Sequence, residues 1–405
     1  MKLLSKINVF TKSRENLYAL LLFLVIFSAT LGFKLNSVSI ILLSIFYLLD
    51  KQLLRKVKQG NKIIVLLFVC YFLIHLLGYF YSINKVTAIH EIEVKLSFFV
   101  LPLIIATEKL SVKKINKVFI LFKYWLVTIA TYLILHKIFI VGGPISTLST
   151  HSLLFITNIH QTYYSLFYVF GLLFIIHQIK TNKINRAIGY IEMLFFLFFI
   201  VLLGARITVM YALVISIAFL IYQFFKFNGT KKLITFFGVL FFVLLIYKET
   251  NIVSKISRLS KIEWNINKNI YNHQVFTIEY NDKTSNSFEL RLIKWYCAIN
   301  IVKKNIFFGV GSGDCNEELV KQYHKIDFKK GMVYEYNAHN QYLEEFVKFG
   351  LFGGLFFCFF IGYLIFDSIK KKNTLLVCVI LLVSSFLLVE SVFVRQHGVL
   401  FFIFF

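Results

Sequence analysis

Two arginines and one histidine are the residues of this sequence whose types and positions could carry out chemistry. Arg206 stands between two long apolar runs. Arg291 opens an amphipathic stretch, residues 289–304, and His339 immediately precedes another apolar run. Two guanidinium groups can hold a diphosphate through paired hydrogen bonds, which lysine does less well. A neighbouring histidine can accept a proton from an attacking hydroxyl group. Together the three residues predict a site that binds a diphosphate and activates a nucleophile.

Each of these residues also has a plainer interpretation when it is taken alone. Arg206 could mark a helix end by extending its side chain to the membrane surface, and Arg291 could lie on a solvated helix face. His339 could be an interfacial polar residue. The segments predicted to lie on the same side of the membrane as these three residues contain no HxxxH, DxD or CxxC pair. The sequence therefore predicts neither a metal ion nor another cofactor at the site.

The composition indicates that these residues belong to a membrane protein. Of the 405 residues, 58% are hydrophobic and 16% are charged, whereas a soluble chain would carry about a quarter charged residues. A formal net charge of +24 could indicate a nucleic-acid-binding surface. Here the lysines and arginines lie mostly in short clusters between apolar runs. This arrangement favours membrane lipids, and no nucleic acid, as the partner.

The apolar runs predict an all-α integral membrane protein, a bundle of about 12 transmembrane helices with one large polar loop, which the family resemblance given below implies is periplasmic. The first run follows a basic stretch without a small-residue cleavage site, so it is interpreted as a retained helix. The last run is short and is either a half-helix or the end of a truncated chain. The predicted spans are residues 17–33, 37–49, 63–82, 96–107, 118–141, 162–179, 187–203, 207–225, 233–247, 341–366, 374–389 and 398–405.

The distribution of basic residues predicts the orientation of these helices. If the N-terminus is cytoplasmic and each span crosses the membrane, the inner segments hold 22 lysines and arginines and the short outer segments hold 5. This is the bias expected of membrane proteins. The prediction places residues 248–340 outside, between membrane regions 1–247 and 341–405. Cys297 and Cys315 lie in this loop, and their spacing leaves open whether they form a disulfide.

Three segments of the sequence form a recognisable pattern, namely residues 291–295 (RLIKW), 308–313 (FGVGSG) and 339–353 (HNQYLEEFVKFGLFG). Together they resemble the O-antigen ligase and polymerase family of bacterial membrane glycosyltransferases. Arg206 resembles the family's membrane-edge arginine, although Ala205 replaces the serine that commonly precedes it. The resemblance implies a multi-pass protein of the bacterial inner membrane, with its active site at the periplasmic face. His160 and Tyr163 also resemble family positions but are interpreted as surface anchors.

The resemblance implies metal-independent transfer of a glycan from an undecaprenyl-diphosphate carrier. In this hypothesis Arg206 and Arg291 bind the diphosphate and His339 is the catalytic base. The acceptor could be lipid A-core, as in a ligase, or another lipid-linked glycan, as in a polymerase; some relatives glycosylate protein. The hypothesis from a different class is a polytopic transporter, which would have charged residues midway through its spans and paired broken helices.

Overall fold

The computed structural model describes residues 2–59, 62–108, 110–142, 159–226 and 287–405, which form helices and turns with no strand among them. The predicted span 233–247 and the first part of the predicted loop, residues 248–286, lie outside the described residues. The helices are α1 (Lys2–Ser28), α2 (Phe33–Leu48), α3 (Leu53–Gln59), α4 (Lys62–Tyr81), α5 (Lys85–Thr107), α6 (Val112–His136, continued by a π-helical turn, Lys137–Val141), α7 (Gln161–Lys180), α8 (Arg186–Leu203), α9 (Arg206–Lys226), α10 (Ser287–Lys304), α11 (Cys315–Lys325), α12 (Lys329–Tyr334), α13 (Gln341–Lys370), α14 (Thr374–Leu387) and α15 (Gln396–Phe404), with a 3₁₀ turn at Val392–Val394.

Six helices among the described residues are long and apolar enough to cross a membrane, namely α4, α6 with its π-helical turn, α7, α8, α9 and α13. The all-helical prediction is confirmed, and the count of about 12 spans remains a prediction. Two further predicted spans correspond to shorter apolar helices, α2 and α14. The last predicted span lies in α15, which has nine residues. Helix α7 is the centre of the bundle, since 89% of the residues in its most apolar stretch are buried, against 28–39% in the other five helices.

Helix α5 begins earlier than its hydropathy predicts. The apolar run starts at residue 96, but the helix starts at Lys85. The reason is the N-cap, because the side chain of Asn84 accepts a hydrogen bond from the backbone N–H of Thr87 at 2.9 Å. Most of the predicted outer segment 83–95 is therefore helical.

Helix α13 is broken at Gly350, where the sequence predicts one continuous apolar helix. Gly350 has φ 62° and ψ −154°, a conformation that in practice only glycine adopts. The break is filled by the chain that follows α10, because the N–H of Leu351 donates to the carbonyl of Ile306 at 2.7 Å. A methyl group at Gly350 would collide with the backbone of Phe307. Gly350 thus sets the angle between residues 341–349 and the rest of α13.

Replacing Gly350 with alanine is expected to destabilise the protein by about 2 kcal/mol or more, because backbone strain of about 1–3 kcal/mol adds to the collision with Phe307. The matched control is Gly362→Ala in the same helix, where an added methyl group meets nothing within 4 Å. Thermal unfolding in detergent checks the difference. Equal melting temperatures for the two variants would show that the break at Gly350 is not required.

Buried charges attach the first part of α13 to α5. The ammonium group of Lys348 pairs with Glu91 of α5 and with Glu344, each at 2.9 Å, and Lys95 pairs with Glu91 at 2.7 Å. All four residues are less than 9% exposed. Buried opposite charges stabilise a structure only when they are paired, as they are here. The network therefore holds the start of α13 against the bundle.

A second set of buried polar contacts attaches the same part of α13 to α4. The hydroxyl group of Tyr71 donates to Glu345 at 2.7 Å, and Gln341 donates to the same carboxylate at 2.7 Å. The oxygen of the Gln341 side chain accepts from the N–H of Phe393 at 2.8 Å. These contacts fix both the start of α13, where His339 lies, and the chain that follows α14.

Candidate active site at one end of the bundle

The turn before α13 holds His339 in a defined conformation. His339 has φ 46°, in the left-handed region that histidine and asparagine enter more readily than most residues. Its N–H donates to the side chain of Asn337 at 3.0 Å. The next residue, Asn340, caps α13 by accepting from the N–H of Leu343 at 3.1 Å. The imidazole is therefore positioned by the turn and by the helix cap together.

The imidazole of His339 contacts the carboxylate of Glu390, which follows α14. The Nδ1 atom lies 3.2 Å from the carboxylate, and the two side chains are 25% and 18% exposed. Burial raises the pKa of Glu390, but the hydrogen bond from His339 and the nearby Arg291 outweigh it, so the pKa is lowered overall. An ionised carboxylate only accepts hydrogen bonds. When the imidazole is neutral, Nδ1 of His339 then carries the hydrogen and Nε2 has a free lone pair.

Arg291 of α10 shares the same carboxylate. Its Nε atom donates to the carbonyl of Val389 at 3.1 Å, and a terminal nitrogen lies 3.8 Å from Glu390. The side chain is 27% exposed. Because a guanidinium group has five N–H donors, Arg291 keeps donors for an anion after these contacts are made. The structure therefore brings Arg291 and His339 together at Glu390.

Arg206 begins α9 at the same end of the bundle. Thr208, two residues later, forms a 2.8 Å hydrogen bond with Ser165 near the start of α7. Tyr163 of that helix donates to the carbonyl of Ser391, next to Glu390, at 3.3 Å. Arg206 is exposed, and it forms no ion pair with the parts of the chain that the structure describes. Of the three predicted residues, His339 and Arg291 share a contact with Glu390. Arg206 lies at the same end of the bundle without a described contact with them.

Glu390, the residue that contacts both His339 and Arg291, was not among the residues predicted from the sequence. No motif in the sequence pointed to Glu390, because its contact with His339 arises only in the folded chain. The interpretation of Tyr163 as a surface anchor is wrong, because its side chain is buried and only 5% of the residue is exposed. The guanidinium group of Arg395 lies 5.7 Å from the centre of the Tyr163 ring. Glu390 and Tyr163 are thus parts of one packed region around the site.

The glycine-rich turn, residues 309–313, is a packing element. The N–H of Gly311, at φ 101°, donates to the carbonyl of Lys348 at 2.9 Å. The N–H of Gly313 donates to the hydroxyl group of Ser82 at 3.0 Å. Since these amides already have partners within the protein, they are not available to a phosphate group. The turn holds the segment after α10 against α4 and α13.

The two cysteines of the predicted loop, Cys297 and Cys315, are buried free thiols. Burial raises the pKa of the Cys297 thiol to about 12. Both residues contribute to a small apolar core beneath α10 and α11. No group of three histidines, cysteines, aspartates or glutamates that could hold a metal ion occurs within the described ranges.

Comparison with known proteins agrees with the resemblance in the sequence. The O-antigen ligase family model matches residues 191–358, which include Arg206, Arg291 and His339 but not Glu390. No curated protein matches the chain. The family implies a glycosyltransferase-like enzyme of O-antigen processing. Over the matched residues the chain is similar to the O-antigen ligase family, and the six long apolar helices among the described residues indicate a multi-pass bacterial membrane protein.

Proposed function

We propose that this chain transfers a glycan from an undecaprenyl-diphosphate carrier to a sugar hydroxyl group without a metal ion. The observation that supports the proposal is that His339 and Arg291 both contact Glu390, so that the proposed base and the proposed anion-binding group are neighbours. An ionised Glu390 holds His339 in the tautomer whose Nε2 can accept a proton. The family match supports the class of reaction.

In the proposed reaction, Nε2 of His339 takes the proton of the acceptor hydroxyl group as its oxygen attacks the anomeric carbon. The new carbon–oxygen bond forms while the bond from that carbon to the diphosphate breaks. The lipid diphosphate leaves with the electron pair, and Arg291 and Arg206 stabilise its negative charge. Glu390 stabilises the imidazolium ion that His339 becomes, in the way that a buried carboxylate assists other catalytic histidines.

We place this site at the periplasmic face of the bacterial inner membrane, with the N-terminus in the cytoplasm. The 22-to-5 division of basic residues between the predicted inner and outer segments supports this orientation. We likewise propose membrane regions 1–247 and 341–405 with the periplasmic segment 248–340 between them. A lipid-linked donor suits this position, since its tail requires the bilayer and its sugars require water.

The acceptor distinguishes a ligase from a polymerase, and we propose lipid A-core. The test is a transfer assay with purified protein, a glycan on undecaprenyl diphosphate, and either lipid A-core or a second lipid-linked glycan as acceptor. Attachment of the glycan to lipid A-core is the expected result. Elongation of the lipid-linked glycan alone would establish the polymerase instead. No product with either acceptor would contradict glycosyl transfer.

Two observations bear on the transporter hypothesis. Helix α13 is broken, and charges are buried within helices, at Lys123 and Glu192 (2.7 Å apart) as well as in the network around Lys348. Each of these lysines is paired with a carboxylate of its own cluster, and the carbonyl groups of residues 306 and 307 accept the backbone hydrogen bonds that fill the break. The charges therefore act as contacts between helices, and the features are explained without a transport pathway.

A further inference from the structure

Lys294 is a buried cation at the candidate site. It lies one helical turn after Arg291 on α10, so the two side chains are neighbours on one face. Lys294 is 4% exposed, and its ammonium group lies 4.3 Å from the centre of the Tyr336 ring. The Tyr336 ring in turn contacts the imidazole of His339, with 6.1 Å between the ring centres. Lys294 thus lies on the His339 side of α10.

Among the described residues that contact Arg291 or His339 at the candidate site, Glu390 is the carboxylate that faces these cations. Arg291 and Lys294 carry two positive charges, and Glu390 carries one negative charge. No carboxylate forms an ion pair with Lys294 in the described ranges, and Glu390 is already engaged by His339 and Arg291. A buried ammonium group without a counter-ion is costly. A diphosphate that links a lipid to a sugar carries two negative charges and would supply the missing anion.

We infer that Lys294 is a further ligand of the donor's diphosphate and that it takes up a proton when the donor binds. The inference rests on the proposed function, since it needs an anionic donor at Arg291. Lys294 would then share the diphosphate-binding role that the sequence predicts for Arg206 and Arg291.

The linkage to protons follows from the surroundings of Lys294. Burial, and then the charge of Arg291, lower the pKa of Lys294 to about 8, while Glu390 acts in the opposite direction. A diphosphate beside the amine would raise this pKa and hold the charged form. In the described residues, the titratable groups that face this part of α10 from other elements are Tyr336, His339 and Glu390. One turn further along α10, Cys297 faces Cys315 and Tyr323 of α11.

The experiment measures binding of farnesyl diphosphate to the purified full-length protein by calorimetry, in two buffers with different heats of ionisation. At pH 8 about half of the Lys294 amines are neutral, so the wild type should take up about half a proton more than Lys294→Met. At pH 6.5 this difference should vanish. Lys294→Met should also bind about ten- to a hundredfold more weakly at pH 7. Lys303→Met, an exposed change on the same helix, is the control and should behave as the wild type.

Lys294→Arg separates a ligand from a structural residue, because arginine keeps its charge at every pH used. Wild-type affinity should fall by about tenfold between pH 7 and pH 9, as the amine loses its proton, and the arginine variant should lose less. Equal affinity of Lys294→Met and the wild type, or parallel pH profiles for Lys294→Arg and the wild type, would overturn the inference. If Arg291→Ala nevertheless lost binding, the proposed function would stand. Unchanged binding by Arg291→Ala as well would contradict both.

Discussion

Replacing His339 with asparagine is expected to lower the rate of glycan transfer by about 10²–10⁴-fold, the usual contribution of a general base, while the donor binds with nearly unchanged affinity. Asparagine suits the left-handed backbone at this position and can donate a hydrogen bond to Glu390, but it cannot accept the proton. Turnover and donor affinity should be measured separately on the purified variant.

The control for this change is His324→Asn, which removes an exposed histidine from α11. It should transfer glycan at the wild-type rate. Full turnover by His339→Asn would remove the proposed base. Lost donor affinity with retained turnover at saturation would instead make His339 a ligand of the diphosphate.

Replacing Arg291 with alanine is expected to weaken donor binding by about ten- to a hundredfold, equivalent to the roughly 1.5–3 kcal/mol of one charge-assisted hydrogen bond. Arg291→Lys should give an intermediate loss. A lysine keeps the charge, but its single ammonium group cannot donate to Val389 and grip a diphosphate with the geometry of the guanidinium fork. Direct titration with the lipid-linked donor gives the affinities.

Lys303→Ala is the matched control for Arg291, because it removes one positive charge from the same helix about 18 Å away at 1.5 Å per residue. It should retain wild-type affinity. If both variants lost affinity equally, the net charge of α10 and not the contact at Arg291 would attract the donor.

The positions of the long helices could be predicted from hydropathy. The runs 63–82, 162–179, 187–203 and 207–225 agree within a residue or two with α4, α7, α8 and α9. Within such runs nearly every residue is apolar, so the physical requirement of the bilayer decides the structure. The start of α5 could not be predicted in this way, because a polar cap at Asn84 and buried ion pairs at Glu91 and Lys95 make a polar segment helical.

The break at Gly350 depends on a partner that is distant in the sequence. A glycine within an apolar run is compatible with an unbroken helix, and only the docking of residues 306–311 requires the special backbone conformation. Sequence periodicity contains no information on that docking. The same is true of the buried network, since Glu345 and Lys348 follow His339 in sequence but are paired with Tyr71 of α4 and Glu91 of α5.

The sequence could suggest candidate residues for the site, but it could not predict that Glu390 connects them. Arg291 and His339 could be found because their local segments resemble the family. Glu390 lies 51 residues after His339, and its contact with that imidazole arises from the packing of α14 against α13. Lys294 stood in the motif segment but was not distinguished from a solvated helix residue, since burial is a property of the folded chain.

Transfer in the absence of divalent metal ions is the most direct test of the central claim, that side chains alone carry out this reaction. Purified protein treated with EDTA should form the glycan–acceptor bond and release lipid diphosphate in equal amounts, at the rate of untreated protein. Adding Mg²⁺ or Mn²⁺ should not change that rate. Loss of transfer in EDTA, with recovery on adding either metal ion, would contradict the assignment of the diphosphate to arginine.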